Sequence, residues 1–593
     1  MSLLIWLALP AFGAPKPEES RDLLKGVKAP PEFQVTLFAA PPDVGYPTCL
    51  AAVPSGEVFV GVDENGSLDA KPGRGRVVRC VDSDGDGRAD RFNVFAEMDS
   101  PRGIVFDHGT LYVMHPPLLE AFIDDDGDGK ADRSEVLVRG LGFDLKFRGV
   151  DHTVNGMRLG IDGFLYIAVG DYGAVRAEGK DGSQLQLHGG GVVRVRPDGS
   201  GLELVSRGQR NIYDVAVSPE LDLFTRDNTN DGGGWDVRLS HVILSGQYGY
   251  PSLFKNFPDE ILAPLADYGG GSPCGSLFLD EPGFPPDWGR ALYTCEWGRS
   301  IVYRHPLEPK GAGFTAGQAV FVQIPRPTDM DADGLGCLYV SSWSNGSFTY
   351  SGPNVGFVVR LALRTNTPAG PFPDLAKLTE PGLVDQLASS SAVRRLHAQR
   401  EILRRGRKPG VTRAVERLAS SEGPLGVRVA ALFTLSQLAG PDRAAGLVRL
   451  AKLAPLREFA LRALADERAD SANVPAGLFV EGLQDTNPRV RLQAVTALGR
   501  MHRAESAESL LALVTDADPL VAHAAVQALI TLHAVDVCLA ALDSPGRAAS
   551  VPGAMRVLQA FPEEKVVQGL LQRLARSRAT DDPNRRPIVR TLC

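Results

Sequence analysis

Between Gly56 and Tyr339 one short signal returns six times. It reads Gly56-Glu-Val-Phe59, Gly109-Thr-Leu-Tyr112, Gly163-Phe-Leu-Tyr166, Leu221-Asp-Leu-Phe224, Gly289-Arg-Ala-Leu-Tyr293 and Gly336-Cys-Leu-Tyr339. Each copy is a turn followed by a short apolar strand carrying an aromatic residue. Recurrence roughly every 50 residues fits one four-stranded blade per copy. In such a ring every blade buries both faces against its neighbours and few strand edges stay free. The expectation is an all-β six-bladed β-propeller over residues 30–363, with Gly356-Phe-Val-Val-Arg-Leu361 helping to close the ring. A β-sandwich is the alternative, and near-regular spacing argues against it.

The 64 glycines and 43 prolines lie mostly before residue 370, so the second half is of another class. After a linker at 364–374 the chain turns rich in Ala, Leu and Arg with helical periodicity. Val393-Arg394, Val427-Arg428, Leu456-Arg457, Val490-Arg491, Val521-Ala522 and Met555-Arg556 each open a helix, at intervals of roughly 30 to 34 residues. Asp485-Thr-Asn-Pro488 and Asp516-Ala-Asp-Pro519 supply a capping aspartate and a first-turn proline. This predicts an all-α HEAT-repeat solenoid over 375–593. Val589-Arg590 opens one more repeat just before the sequence stops, so a C-terminal truncation is expected. His397 and His523 read as surface or packing residues, not ligands.

Two segments of the first half share one spacing. Asp82, Asp84, Asp86 and Asp90 match Asp124, Asp126, Asp128 and Asp132, with Gly87 and Gly129 at the sixth position. Oxygens at positions 1, 3, 5 and 9 around such a glycine make a calcium loop. Glu135 falls at position 12 of the second loop and Asn93 at that of the first. The flanks read as strands, so Ca2+ would clamp hairpins rather than EF-hands. A plain acidic turn is the alternative. A third run, Asp329-Met-Asp331-Ala-Asp333-Gly334, is incomplete because position 9 is Cys337.

Candidate catalytic groups cluster in two stretches. Asp151 beside His152, leading into Leu165 through Asp171, offers an imidazole base with a carboxylate to orient it. Arg210 and Asn211, followed by Asp227, Asn228, Asn230 and Asp231, offer a guanidinium and hard oxygens for an anionic cofactor with a cation. A structural histidine and an ordinary polar turn are the alternatives.

These residues resemble the soluble pyrroloquinoline quinone (PQQ) glucose dehydrogenase and sorbosone dehydrogenase family over roughly residues 30–362. The likeness rests on Asp151-His152 with Leu165-Tyr166 through Gly170-Asp171, on Gly208-Gln209-Arg210-Asn211, and on Gly246-Gln-Tyr-Gly249-Tyr-Pro251. Trp297-Gly-Arg299 and Arg326-Pro-Thr-Asp329 lie where that family places further basic cofactor contacts. The resemblance implies that His152 takes a sugar hydroxyl proton while hydride passes to PQQ, and that Arg210, Asn211, Gln209, Arg299 and Arg326 face the quinone. The sequence departs from the family at Gln209, which replaces a His, at Thr328, which replaces an Arg, and by one residue inserted between His152 and Gly156. A closer resemblance is to a planctomycete and verrucomicrobial family named as membrane-bound dehydrogenases, through the aspartate loops, Asp151-His-Thr-Val-Asn-Gly156, and Arg226-Asp-Asn-Thr-Asn-Asp231 with Trp235. Members often continue into HEAT repeats and a cytochrome c domain, which would be the electron acceptor.

Residues 1–14 form a short apolar run ending in Ala11, Gly13 and Ala14 with no Lys or Arg before it, which resembles a signal peptide. A buried strand is the alternative. Export would make the protein periplasmic or secreted, with membrane association open. The seven cysteines include no Cys-x-x-Cys-His, so the chain carries no haem site. Cys274 with Cys295, or Cys49 with Cys80, are possible disulfides, and isolated buried thiols are the alternative. A net charge of -8 without a basic run argues against a nucleic-acid partner, and none is expected. Three functions follow as expectations: a calcium- and PQQ-dependent sugar, alcohol or aldehyde dehydrogenase; a glycan- or protein-binding propeller with the HEAT stack docking a partner; and a lactonase-type calcium-dependent hydrolase.

Overall fold

The computed structural model describes residues 22–229, 236–253, 256–364, 370–466, 474–576 and 585–592. Six sheets follow one another along the chain from Phe33 to Leu363, antiparallel except where Glu203–Gln209 pairs in parallel with Gly246–Gln247. Their innermost strands are Pro47–Ala52, Gly103–Asp107, Val154–Leu159, Val215–Val217, Pro273–Asp280 and Pro327–Ala332, which number blades 1 to 6. All six recurring aromatics, Phe59, Tyr112, Tyr166, Phe224, Tyr293 and Tyr339, lie on the second strand of a blade. The repeat was legible because that strand is buried on both faces in every blade.

The turn before it demands left-handed backbone, and Gly56, Gly109, Gly163 and Gly336 supply it. In blade 4 Leu221 takes that conformation (φ 64°), a strained choice for a leucine. The ring closes by pairing Phe33–Ala39 with Phe357–Leu363, so the N-terminal strand is the outer strand of blade 6. Blades pack through apolar clusters such as Phe59, Val77, Ile104 and Leu111 between blades 1 and 2.

Helices follow from Glu380 to Leu592, and every predicted helix start falls in or at the edge of a helix. These include Ala392–Arg404, Leu425–Ala439, Arg457–Asp466, Pro488–Arg500, Pro519–Thr531 and Val551–Gln559. Asn487 and Asp518 cap two of them through side-chain bonds to Arg489 N and Leu520 N.

The solenoid curls under the propeller. One apolar cluster runs from Ile161, Phe164 and Leu223 between blades 3 and 4 into Leu432, Phe459 and Leu461 of the helices. Polar residues of successive helices meet the same face of the ring. Arg395 pairs with Asp280, Arg400 with Asp107, Arg489 with Asp222 and Arg500 with Glu203. His523 is a packing residue: it is buried, and its Nε2 accepts a hydrogen bond from Gln247 N at 3.2 Å. No helix among the described residues is long and apolar enough to cross a membrane.

Candidate functional site

The covered face holds the turns between first and second strands. The opposite, open face holds the connections that enter each innermost strand, and His152 lies in one of them, two residues before Val154–Leu159. Its loop is tied to blade 1, because Val150 N and Asp151 N both donate to Ser67 O. His152 adopts φ 61°, an unusual backbone for histidine, of the kind that surrounding structure must hold in place. Gly170 allows this, since a Cβ there would stand 2.5 Å from His152 O.

The side chain is fixed as firmly. Nδ1 lies 2.5 Å from Asp171 Oδ1, while Nε2 lies 3.7 Å from Asp151 Oδ2. Asp171 therefore orients the imidazole, and Asp151, expected to do so, does not. With Nδ1 bound to a carboxylate, Nε2 is left as the proton-accepting nitrogen. The ring stacks on Tyr172 at 5.4 Å, and Arg148 donates to the Tyr172 hydroxyl at 2.7 Å. His152 keeps 17% of its side-chain surface exposed, enough for a small substrate to reach it.

The expected cofactor residues divide. Gln209 is fully buried and donates to Ser206 Oγ at 3.0 Å, so it does not face the mouth of the ring. Asp227 is buried too: Arg238 donates to it at 2.8 Å and Arg210 N at 2.9 Å. Asp227 and Arg238 are cross-strand partners, so the carboxylate is spent on an internal ion pair and is not a metal ligand. Asn228 accepts from Arg210 at 2.6 Å, so it holds the guanidinium rather than a metal ion. Tyr250 OH is 3.3 Å from Arg210 Nε. Asn230 and Asp231 lie outside the described residues. Asn211 is half-buried in the connection entering blade 4, Arg299 is exposed on blade 5, and the Arg326 guanidinium covers the Trp297 ring at 4.6 Å.

The axial channel contains a constellation that spacing did not reveal. Arg158 lies 3.0 Å from Asp214, 3.3 Å from Asp329 and 3.8 Å from Asp331. Burial pushes the Asp329 carboxyl up to about 7 even though Arg158 pulls it down. Asp329 and Asp331 lie on the strand Pro327–Ala332, so the third aspartate run is no calcium loop.

Both expected calcium loops join the third and fourth strands of their blades, on the covered end and toward the rim. One carboxylate oxygen from each of Asp82, Asp84 and Asp86 lies within 4.8 Å of the others, and Asp124, Asp126 and Asp128 repeat this. Three hard oxygens so placed suit a divalent cation such as Ca2+. Asp90 accepts from Ser83 Oγ and Asp132 from Asp125 N. Glu135 does not join its loop, because it sits on the strand Arg133–Arg139 and pairs with Lys180. Ala89 N donates to Phe38 O and Ala131 N to Phe95 O, both at 2.9 Å. Each loop thus fastens its blade to the outer strand of the preceding one. The six described cysteines are free thiols, and burial pushes the Cys337 thiol up to about 12.

A family model described as Domain of unknown function (DUF7133) matches residues 16–343, and one for HEAT repeats matches 454–530. No curated protein matches the sequence. Among solved structures, the PQQ-bound aldose sugar dehydrogenase from Streptomyces coelicolor is 19% identical (TM-score 0.41), with 56% of this chain and 100% of that one covered. The PQQ domain of pyranose dehydrogenase from Coprinopsis cinerea is 13% identical (TM-score 0.40), over 57% and 97%. Virginiamycin B lyase from Staphylococcus aureus is 11% identical (TM-score 0.31), over 56% and 100%. Likeness at these levels decides nothing about chemistry.

Proposed function

The chain belongs to the family described as Domain of unknown function (DUF7133), so its activity has to be argued from its own residues, and we propose that the open face of its propeller is a dehydrogenase centre for a sugar or related alcohol or aldehyde. The observation that carries this reading is the His152–Asp171 pair. A carboxylate-anchored imidazole with one free nitrogen, partly exposed at a ring mouth, suits removal of a hydroxyl proton. Hydride must leave the same carbon, and a bound PQQ-type quinone would supply its acceptor. PQQ is planar and carries three carboxylates, so it calls for cations beside aromatic surface. Arg148 with Tyr172 and Arg326 with Trp297 provide both, and Arg299 and Asn211 add polar contacts. Arg210, tied to Asn228 and Tyr250, is a positioning residue for this rim. An exported, periplasmic or secreted location, calcium in the aspartate loops and a cytochrome c domain or protein as electron acceptor belong to the same proposal.

A second reading, a glycan-binding propeller, is favoured by the aromatic surface around the mouth. Exposed Tyr350 stacks on buried Tyr46 at 5.8 Å, and exposed Phe348 meets Trp297 at 5.3 Å. Hydrolysis on an axial cation is disfavoured because the channel carboxylates already surround Arg158.

The test is titration of PQQ into the calcium-loaded chain, followed by quinone absorbance and by dye reduction with an aldose panel. Saturable binding with turnover, weakened in Arg326→Ala, supports the dehydrogenase. No binding at high micromolar PQQ, with retention on immobilised glycans, leaves the binding module.

A further inference from the structure

Where the solenoid meets blade 2, three side chains converge that neither the proposed chemistry nor the calcium loops use. Asp107 ends the strand Gly103–Asp107, and the two-residue turn His108-Gly109 follows, both residues with positive φ (48° and 75°). That turn is the tight hairpin type that needs left-handed backbone. It sets the His108 imidazole beside the carboxylate, Nδ1 lying 2.6 Å from Asp107 Oδ1. Across the junction the helix Ala392–Arg404 brings up His397, its ring centre 6.4 Å from that of His108. One ligand-capable atom from each of the three residues lies within 4.8 Å of the other two.

We propose that Asp107, His108 and His397 form a transition-metal site, suited by its donors to Zn2+, that pins the propeller to the solenoid. Two imidazole nitrogens and one carboxylate oxygen are a zinc donor set, with the fourth position left to water. The surroundings are those of a metal site. Glu401 Oε2 lies 3.3 Å from His108 Nε2, the outer carboxylate that fixes a ligating histidine in orientation. Glu401 is itself held by Arg404 and Arg405. Arg400 donates to Asp107 Oδ2 at 2.7 Å, which leaves Oδ1 to ligate. The cation takes the place of the hydrogen shared by Oδ1 and Nδ1. No hydrogen bond is made by the half-buried His397 ring among the described residues, and one of its ring nitrogens lies within 4.8 Å of the other two donor atoms. His397 also lines a cavity of about 170 Å³ between the solenoid and the inner strands, which offers a way in.

The experiment uses the full chain, stripped with chelator and then saturated with Ca2+ so that the aspartate loops are filled. Zn2+ is titrated in by calorimetry, and Co2+ is substituted for visible spectroscopy. The expected result is one Zn2+ per chain, a raised Tm and intense tetrahedral Co2+ bands. His397→Ala and His108→Ala should each weaken Zn2+ binding by roughly 100-fold or more, while Asp82→Ala leaves it unchanged. No stoichiometric Zn2+, or an affinity indifferent to His397→Ala, overturns the site. If either variant fails to fold, the wild-type Co2+ spectrum decides: bands without imidazole ligation, or no bands, overturn it.

Discussion

The two ends of the propeller are built from the same six strands and used oppositely. At the covered end, charge is matched across the junction. Arg194, 2% exposed, sits among Asp162, Glu203 and Asp466, and Arg462 and Arg500 complete the set from the solenoid. At the open end, buried pairs such as Arg102 with Asp63 and Arg238 with Asp227 lie beneath groups that stay within reach of solvent: His152 with Asp171, Arg148 with Tyr172, Arg326 with Trp297. Pairs matched across the junction, with the cation sites at the same end, fasten the fold, and reachable groups at the other end invite a substrate. The covered end is therefore read as architecture and the open end as chemistry.

The sharpest way to break this contrast is to disable each end in turn. His152→Gln should lower turnover by about 10²–10⁴-fold with little change in Tm, in steady-state dye reduction alongside thermal unfolding. Arg194→Met should do the reverse. It strands buried Asp162 and Asp466, costs about 3–5 kcal/mol in urea denaturation, and leaves turnover per folded molecule unchanged. If Arg194→Met abolished turnover in folded protein, the division between the ends would fail.

The calcium loops sharpen the comparison, because they fasten neighbouring blades far from His152. Chelation should lower stability by about 3 kcal/mol for each loop relative to Ca2+ at 100 times its Kd. Asp82→Ala with Asp124→Ala should remove that increment in calorimetry. Titration gives a smaller effect. At the covered end burial alone would raise Asp222, yet Arg489 and His241 carry it down to about 2, and Arg194 and Arg500 do the same for Glu203. Carboxyl groups held below their unfolded values stabilise the fold above about pH 4.5 and lose that contribution as pH falls toward 2. The loss is on the order of 2 kcal/mol for each group, and denaturation midpoints between pH 5 and 2.5 should show it in wild type and less in Asp222→Asn.

Much of this was legible beforehand. The turn-strand-aromatic repeat found one strand in every blade, because that strand is buried on both faces and its composition is constrained. The helix starts were equally plain, since all but Val521-Ala522 carry an apolar residue for the core beside an arginine. Less visible was that Arg395, Arg400, Arg489 and Arg500 of those helices dock on the chain's own ring, because a guanidinium in a buried pair looks like one on a surface. Adjacency in sequence points to Asp151 as the carboxylate that orients His152. Strand register corrects this: Val154 pairs with Val169, so the next positions outward set 152 against 171. The same reasoning would have committed Asp227 to Arg238 and removed it from the cation ligands.

The most direct test of the account compares turnover in Asp171→Asn and Asp151→Asn, both checked for unchanged Tm. If His152 is the base and Asp171 its anchor, Asp171→Asn should lose about 10–100-fold in kcat and Asp151→Asn less than about threefold. Equal losses, or a larger loss from Asp151→Asn, would contradict it.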